Sequence, residues 1–284
     1  MSSNSFNIIT AGYGGRCTIG GSTVLMTGYT LTKSINWIKA QGATGGYFDG
    51  AKFLKIQDGV VIDHAVQELK VDFELIKGVL ATIINHIKNN VNKSGSLAVT
   101  VEELNYGWSL EFDTPKLTAF SFDISEGSFA KGSATFLIVN NEIEVEGMSY
   151  SGGGGGSPPG NTNLWPYWNT TVSVGDIGDC VDFSFDWSQS YDLKYTLKGG
   201  GGETPLPPYK ILWHVPTYRF SATGFYGNES TPGDDFKGPT SVSVDGVGSF
   251  NFDEAYVEST TQTLGDGHSY HTYNISGFGT GQFT

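Results

Sequence analysis

The side chains of this sequence that could do chemistry are scattered carboxylates, five histidines, two cysteines and one tight aromatic cluster. Asp182 and Asp186 stand in the alternating run Val-Asp-Phe-Ser-Phe-Asp-Trp at 181–187, so period two puts both on one face of a strand. Two carboxylates flanking a sugar could run glycoside hydrolysis. They are equally ordinary solvated strand residues if the other face buries Phe183, Phe185 and Trp187, and that is the simpler reading. Asp176 and Asp179 precede them in a loop without the Asp-x-Asp-x-Asp-Gly order of a calcium loop. His268 and His271 form His-Ser-Tyr-His, the one cluster able to take a metal, but the spacing of zinc hydrolases is missing and a polar hairpin tip is expected there. His64 and His86 have no acidic or cysteine partner at ligand spacing, and His214 reads as a solvent-face strand residue. Cys17 and Cys180 form neither a Cys-x-x-Cys pair nor a disulfide framework and read as buried free thiols. Gly12-Tyr-Gly-Gly15 fails the Gly-x-Gly-x-x-Gly pattern, and neither a Gly-x-Ser-x-Gly elbow nor a Walker sequence occurs. No catalytic residue, metal ligand or cofactor site is therefore expected. Trp165, Tyr167 and Trp168 in Trp-Pro-Tyr-Trp remain: exposed, the rings could stack on sugars or plug into a partner; buried, they would anchor an entry strand.

The elements that would carry these residues are mostly strands. Period-two alternation runs through residues 23–32, 97–101, 108–112, 143–146, 171–174, 181–187, 240–244 and 249–253. Residues 68–75 alternate as well and predict a strand ending near Leu75. From there Ile76, Leu80, Ile83, Ile84, Ile87 and Val91 share one helical face, predicting a single amphipathic helix over about 76–91 that stops before Gly95.

With 284 residues the chain is long enough for two modest domains. Residues 151–160, Ser-Gly-Gly-Gly-Gly-Gly-Ser-Pro-Pro-Gly, hold nothing apolar and read as a solvated tether. The expected fold class is mainly β: a β-sandwich or barrel with one flanking helix at 1–150, the linker at 151–160, and a second β-sandwich at 161–284. Charged residues make up only 16% of the chain, and 40 residues are glycine, which suits either a surface largely covered by other protein or a secreted all-β protein with a surface rich in Ser, Thr, Asn and Gly. The net charge of −13 is unevenly spread: residues 1–150 hold 11 basic and 15 acidic side chains, residues 151–284 hold 5 and 14. Such a chain does not grip phosphate backbones, but an acidic surface can let nucleic acid pass without sticking. The start of the chain is polar and lacks the basic region of a signal peptide, and no apolar run is long enough to span a membrane.

The two halves echo each other. Phe120-Ser121 followed by Lys131-Gly132 in the first corresponds to Phe220-Ser221 followed by Lys237-Gly238 in the second. With this duplicated β unit and one helix, the chain resembles bacteriophage tail-tube proteins and the related tube proteins of contractile injection machines. The resemblance implies β-sandwich or barrel domains that join side by side into rings. Two domains per chain would give a trimeric ring of pseudo-six-fold symmetry. It further implies stacked rings with an acidic bore for DNA ejection, other tail proteins as partners, no membrane anchor, and a place in the virion tail after synthesis in the host cytoplasm. Residues 1–7 or the glycine-rich residues 277–284 would reach the next ring. The alternatives are a glycan- or host-surface-binding module of a phage fibre or baseplate, using Trp165, Tyr167 and Trp168, and a capsid or decoration protein.

Overall fold

The computed structural model describes residues 5–6, 15–39, 46–49, 52–55, 60–74, 77–90, 95–103, 108–112, 114–139, 148–150, 172–174, 180–194, 210–226, 237–244, 248–264 and 271–283. The first half contains β1 (Ser5–Phe6), β2 (Gly15–Ile19), β3 (Ser22–Lys39), β4 (Gly46–Asp49), β5 (Lys52–Lys55), β6 (Val60–Glu74), α1 (Lys77–Asn90), β7 (Val99–Glu103), β8 (Trp108–Phe112), β9 (Lys116–Ser125), β10 (Lys131–Ile138) and β11 (Met148–Tyr150). The second contains β12 (Val172–Val174), β13 (Cys180–Ser188), β14 (Tyr191–Lys194), β15 (Lys210–Trp213), β16 (Thr217–Tyr226), β17 (Lys237–Val244), β18 (Gly248–Leu264) and β19 (His271–Phe283). The fold is mainly β. The expected helix is present at Lys77–Asn90, and residues 68–74 of the alternating run end strand β6, while Leu75 lies outside the described residues.

Fifteen strands form one antiparallel sheet in the order β11-β8-β7-β2-β3-β6-β10-β9-β13-β16-β19-β18-β17-β12, with β1 added beside β3. The expected linker at 151–160 lies outside the described residues. On either side of it the halves are joined, because β9 pairs with β13 over seven residues from Ser188↔Ala119 to Asp182↔Ser125. One buried cluster extends from Cys17 and Val24 in the first half to Phe220 and Ile275 in the second. At the far margin β12 comes back alongside β13.

The core face of the central strands is built by matching aromatic rings to small residues. One row across the sheet reads Phe73, Gly132, Phe122, Phe185, Phe220, Gly277 and Val257. The next reads Val71, Ala134, Phe120, Trp187, Tyr218 and Gly279. A ring that leans over a neighbouring strand needs a position there without a side chain. A Cβ on Gly279 would overlap the Tyr218 ring, and one on Gly277 would come within 2.8 Å of Phe220 Cζ and collide with the Tyr256 carbonyl. Of the residues expected to reach the next ring, 277–283 are instead the last part of β19, paired with β16 up to Thr280 and with β18, and Gly277 and Gly279 serve packing. At the other terminus Ser5 and Phe6 pair with Thr32 and Leu31.

Helix α1 buries Val79, Leu80, Ile83, Ile84 and Ile87, the stripe expected from a 3.6-residue period. Lys88 in the last turn suits the negative end of the helix dipole. The helix lies close to the β2–β3 turn, where Gly20 and Gly21 have φ of +56° and +83°, the two left-handed positions of a tight hairpin. A Cβ on Gly20 would come within 2.8 Å of both Thr82 and Leu97.

The echo between the halves is not an equivalence of position. The strands holding Phe120 and Lys131, β9 and β10, are neighbours in a hairpin. Those holding Phe220 and Lys237, β16 and β17, are separated in the sheet by β19 and β18.

Candidate functional site

The same alternation that buries the rings of β9, β13 and β16 turns polar side chains to the other face. There Glu74 on β6, Lys131 on β10 and Asp123 on β9 line up directly across the strands. Beyond the seam, Asp186 on β13 stands opposite Arg219 on β16, whose Nη1 donates to Glu258 Oε2 of β18 at 2.9 Å. Each cation stands between two carboxylates, and the two rows meet at Asp123 and Asp186. Asp123 is opposite Ser184 and Asp186 is opposite Ser121, so the two carboxylates lie on a diagonal, about 7–8 Å apart along the backbone.

Burial raises the proton affinity of both carboxyls, and at Asp123 the like charge of Asp186 adds to it. Burial by neighbouring side chains, then the negative charge of Asp186, push the Asp123 carboxyl above the usual range, with Lys131 opposing. Burial also pushes Asp186 up, with Arg219 opposing. Both keep an edge in solvent, so the effect is partly screened. Glu74 is raised by burial against the pull of Lys131, and its Oε2 is buried without a hydrogen-bond donor among the described residues.

Asp182 and Asp186 share a face as expected but do not work as a pair. Asp182 Oδ1 accepts the Glu126 backbone N–H at 3.1 Å and so holds the β9–β10 turn, while Asp186 is coupled to Arg219 and Asp123. The carboxylate that does interact with Asp186 is Asp123, which the chemical reading of the sequence passed over. A signal for it exists: Phe-Ser-Phe-Asp occurs at 120–123 and again at 183–186, and the two copies pair with each other around Phe122↔Phe185. Identical segments in antiparallel register are related by a local two-fold axis, which puts their aspartates on the same face at the seam. The Phe122 ring lies 5.5 Å from that of Phe185, centroid to centroid. Chemically, this surface presents patterned charge.

A second surface is the two-stranded ribbon β14–β15, which connects β13 to β16 at one end of the sheet. Gln189 fastens its base: its backbone N–H donates to the Thr118 carbonyl and its Nε2 to the His214 carbonyl, both at 2.8 Å. Tyr191, Leu193, Ile211 and Trp213 form the ribbon's half-buried face, with the Tyr191 and Trp213 rings 5.7 Å apart. Asp192, Lys194, Lys210, Leu212 and His214 form its exposed face. His214 is thus a solvent-face residue, as its alternation predicts, and its Nε2 lies 3.6 Å from Asp192 Oδ2.

The remaining candidates are placed as follows. Trp165, Tyr167, Trp168, Asp176, Asp179 and His268 lie outside the described residues. His64 falls in β6 opposite Asn36, and His271 opens β19 opposite Tyr226. His86 sits on α1, where burial and then the nearby Lys116 charge lower its pKa. Cys17 is fully buried and its thiol is pushed up by burial, while Cys180 is half-buried; neither is in a disulfide. Among the described residues no three His, Cys, Asp or Glu side chains gather where a metal could bind, and no helix is long and apolar enough to cross a membrane. No protein-family model matches the chain, and no curated protein matches it.

Proposed function

We propose that the chain is a structural virion subunit of the tail-tube type, whose copies join into rings that stack around an acid-lined channel for DNA. The observation that carries this reading is the broad antiparallel sheet with one aromatic face and one acid-rich face, in a chain otherwise poor in charge. Asp72, Asp123, Asp182, Asp186 and Glu258 outnumber Lys70, Lys131 and Arg219 on the polar face of the central strands. Such a face repels a phosphate backbone while its cations keep the charge density moderate. Among the described residues the sheet order ends at β11 and β12, and pairing of such margins with strands of a neighbouring copy would remove them by closure into a ring.

Negative-stain electron microscopy of the purified protein at high concentration tests the reading. Rings or tubes of regular bore are expected, and single chains at every concentration contradict it. A tryptophan-fluorescence titration with sugars separates it from a glycan-binding module, since a tube subunit gives no response.

A further inference from the structure

We infer that copies of this chain dock head to tail, the outer face of the β14–β15 ribbon of one copy seating on the β9–β10 turn of the next. The inference rests on the self-assembly proposed above and names the contact that would stack one ring on another.

Three large apolar side chains are exposed among the described residues: Val215 at 63%, Phe129 at 43% and Leu212 at 36%. They are not scattered. Leu212 and Val215 belong to the ribbon and its exit, where β13 ends at Ser188. Phe129 belongs to the turn at residues 125–130, beside Asp182 at the opposite end of the β9–β13 pair. About 20 Å of paired strand separates the two ends. Each apolar spot is too small to be a stable interface alone, but joined they would bury one another.

Charge fits the same pairing. Lys194 and Lys210 stand directly opposite each other on the ribbon's exposed face. Like charges in that position destabilise a ribbon of only two strands, which has little stability to spare. Asp192 lies 3.5 Å from Lys194, and Lys210 has no ion-pair partner among the described residues. The opposite end carries Glu126, exposed beside Gly127, and Asp182. Gly127 has φ of +79°, so the turn presents Glu126 and Phe129 on a tight, defined loop. Ser128 holds that loop by donating from both its backbone N–H and its Oγ to the Ser125 carbonyl. One end is apolar and basic, the other apolar and acidic. A contact between unlike ends is heterologous, and because the two ends lie at opposite ends of the same paired strands, repeating it stacks copies along the strand direction.

The test is assembly of full-length variants, followed by electron microscopy and sedimentation velocity. L212D/V215D changes the ribbon, F129D the turn, and K210E the charge; all are exposed positions, and circular dichroism checks that each keeps its β spectrum. Each variant is expected to stop at single rings or to need about tenfold more protein to form tubes, and E126K introduced into K210E is expected to restore stacking. If the wild type stacks and all three variants stack equally well, this contact is overturned and the ring reading stands. If the wild type never associates, both fall.

Discussion

On either side of β13 lie two strands of similar chemistry with different histories in the chain. To one side, β9 presents Phe120 and Phe122, followed by β10 with Gly132 and Ala134. To the other, β16 presents Tyr218 and Phe220, followed by β19 with Gly277 and Gly279. The packing scheme, ring strand then small-residue strand, is mirrored about β13. The connectivity is not, since β10 follows β9 through a tight turn whereas β19 is the last strand of the chain. What is preserved is a spatial rule: the three adjacent ring strands β9, β13 and β16 are bounded on each side by a strand of small residues. The charges follow the β9–β13 seam instead: Lys131 on β10 stands between Glu74 and Asp123, and Arg219 on β16 between Asp186 and Glu258.

The comparison is broken most severely by removing its centre. Phe185→Ala should cost about 3–5 kcal/mol in denaturant unfolding, because the lost ring contacts both flanks at once. The flanks should then differ in what they tolerate. Gly279→Ala puts a methyl into the Tyr218 ring and should cost about 1–3 kcal/mol. At the corresponding place on the other side the chain already carries Ala134, and Ala134→Gly should cost only about 0.5–1 kcal/mol. Equal losses at 279 and 134 would sink the idea that glycine is required on one flank alone.

Smaller effects follow the polar face. The carboxyls of Asp123 and Asp186 have folded-state pKa values above their ordinary ones, so the folded protein binds protons more readily than the unfolded chain between the two values. Stability therefore falls as pH rises through that window. Asp123→Asn should stabilise the protein at neutral pH by about 0.5 kcal/mol and flatten this part of the profile, as read by thermal unfolding from pH 4 to 7. His86 acts with the opposite sign. Its pKa is lowered by burial and by Lys116, so its contribution is present above the ordinary histidine value and is lost as pH falls below it. His86→Gln should remove a slight loss of stability below about pH 6.5; an unchanged acid limb would mean that the helix position of His86 carries no such cost.

Much of this architecture was legible in local pattern. Residues 77–90 form a helix because five buried positions recur at helical spacing, and 68–74 remain a strand because Leu69, Val71 and Phe73 alternate without interruption. What local pattern cannot express is which strands meet. The Lys-Gly echo at 131 and 237 pointed to equivalent strands, yet the strand that plays the part of β10 in the second half is β19, whose glycines looked like a loose tail. Glycine is ambiguous in sequence: a position without a side chain suits a solvated arm and a site under an aromatic ring equally well, and only the partner strand decides. The coupling of Asp123 to Asp186 was hidden for the same reason. Their strands are about sixty residues apart in the chain, and only the repeated Phe-Ser-Phe-Asp hinted that they would lie side by side.

Through its pairing with β9 and β16, β13 joins both halves into one sheet that should unfold cooperatively. Native-state hydrogen exchange at the amides of β9 and β13 measures this directly. Protection shared by residues 119–125 and 182–188, lost together with the rest of the core on adding denaturant, is the predicted result. Two separate unfolding units, with the seam amides exchanging quickly while the strands on each side stay protected, would contradict it.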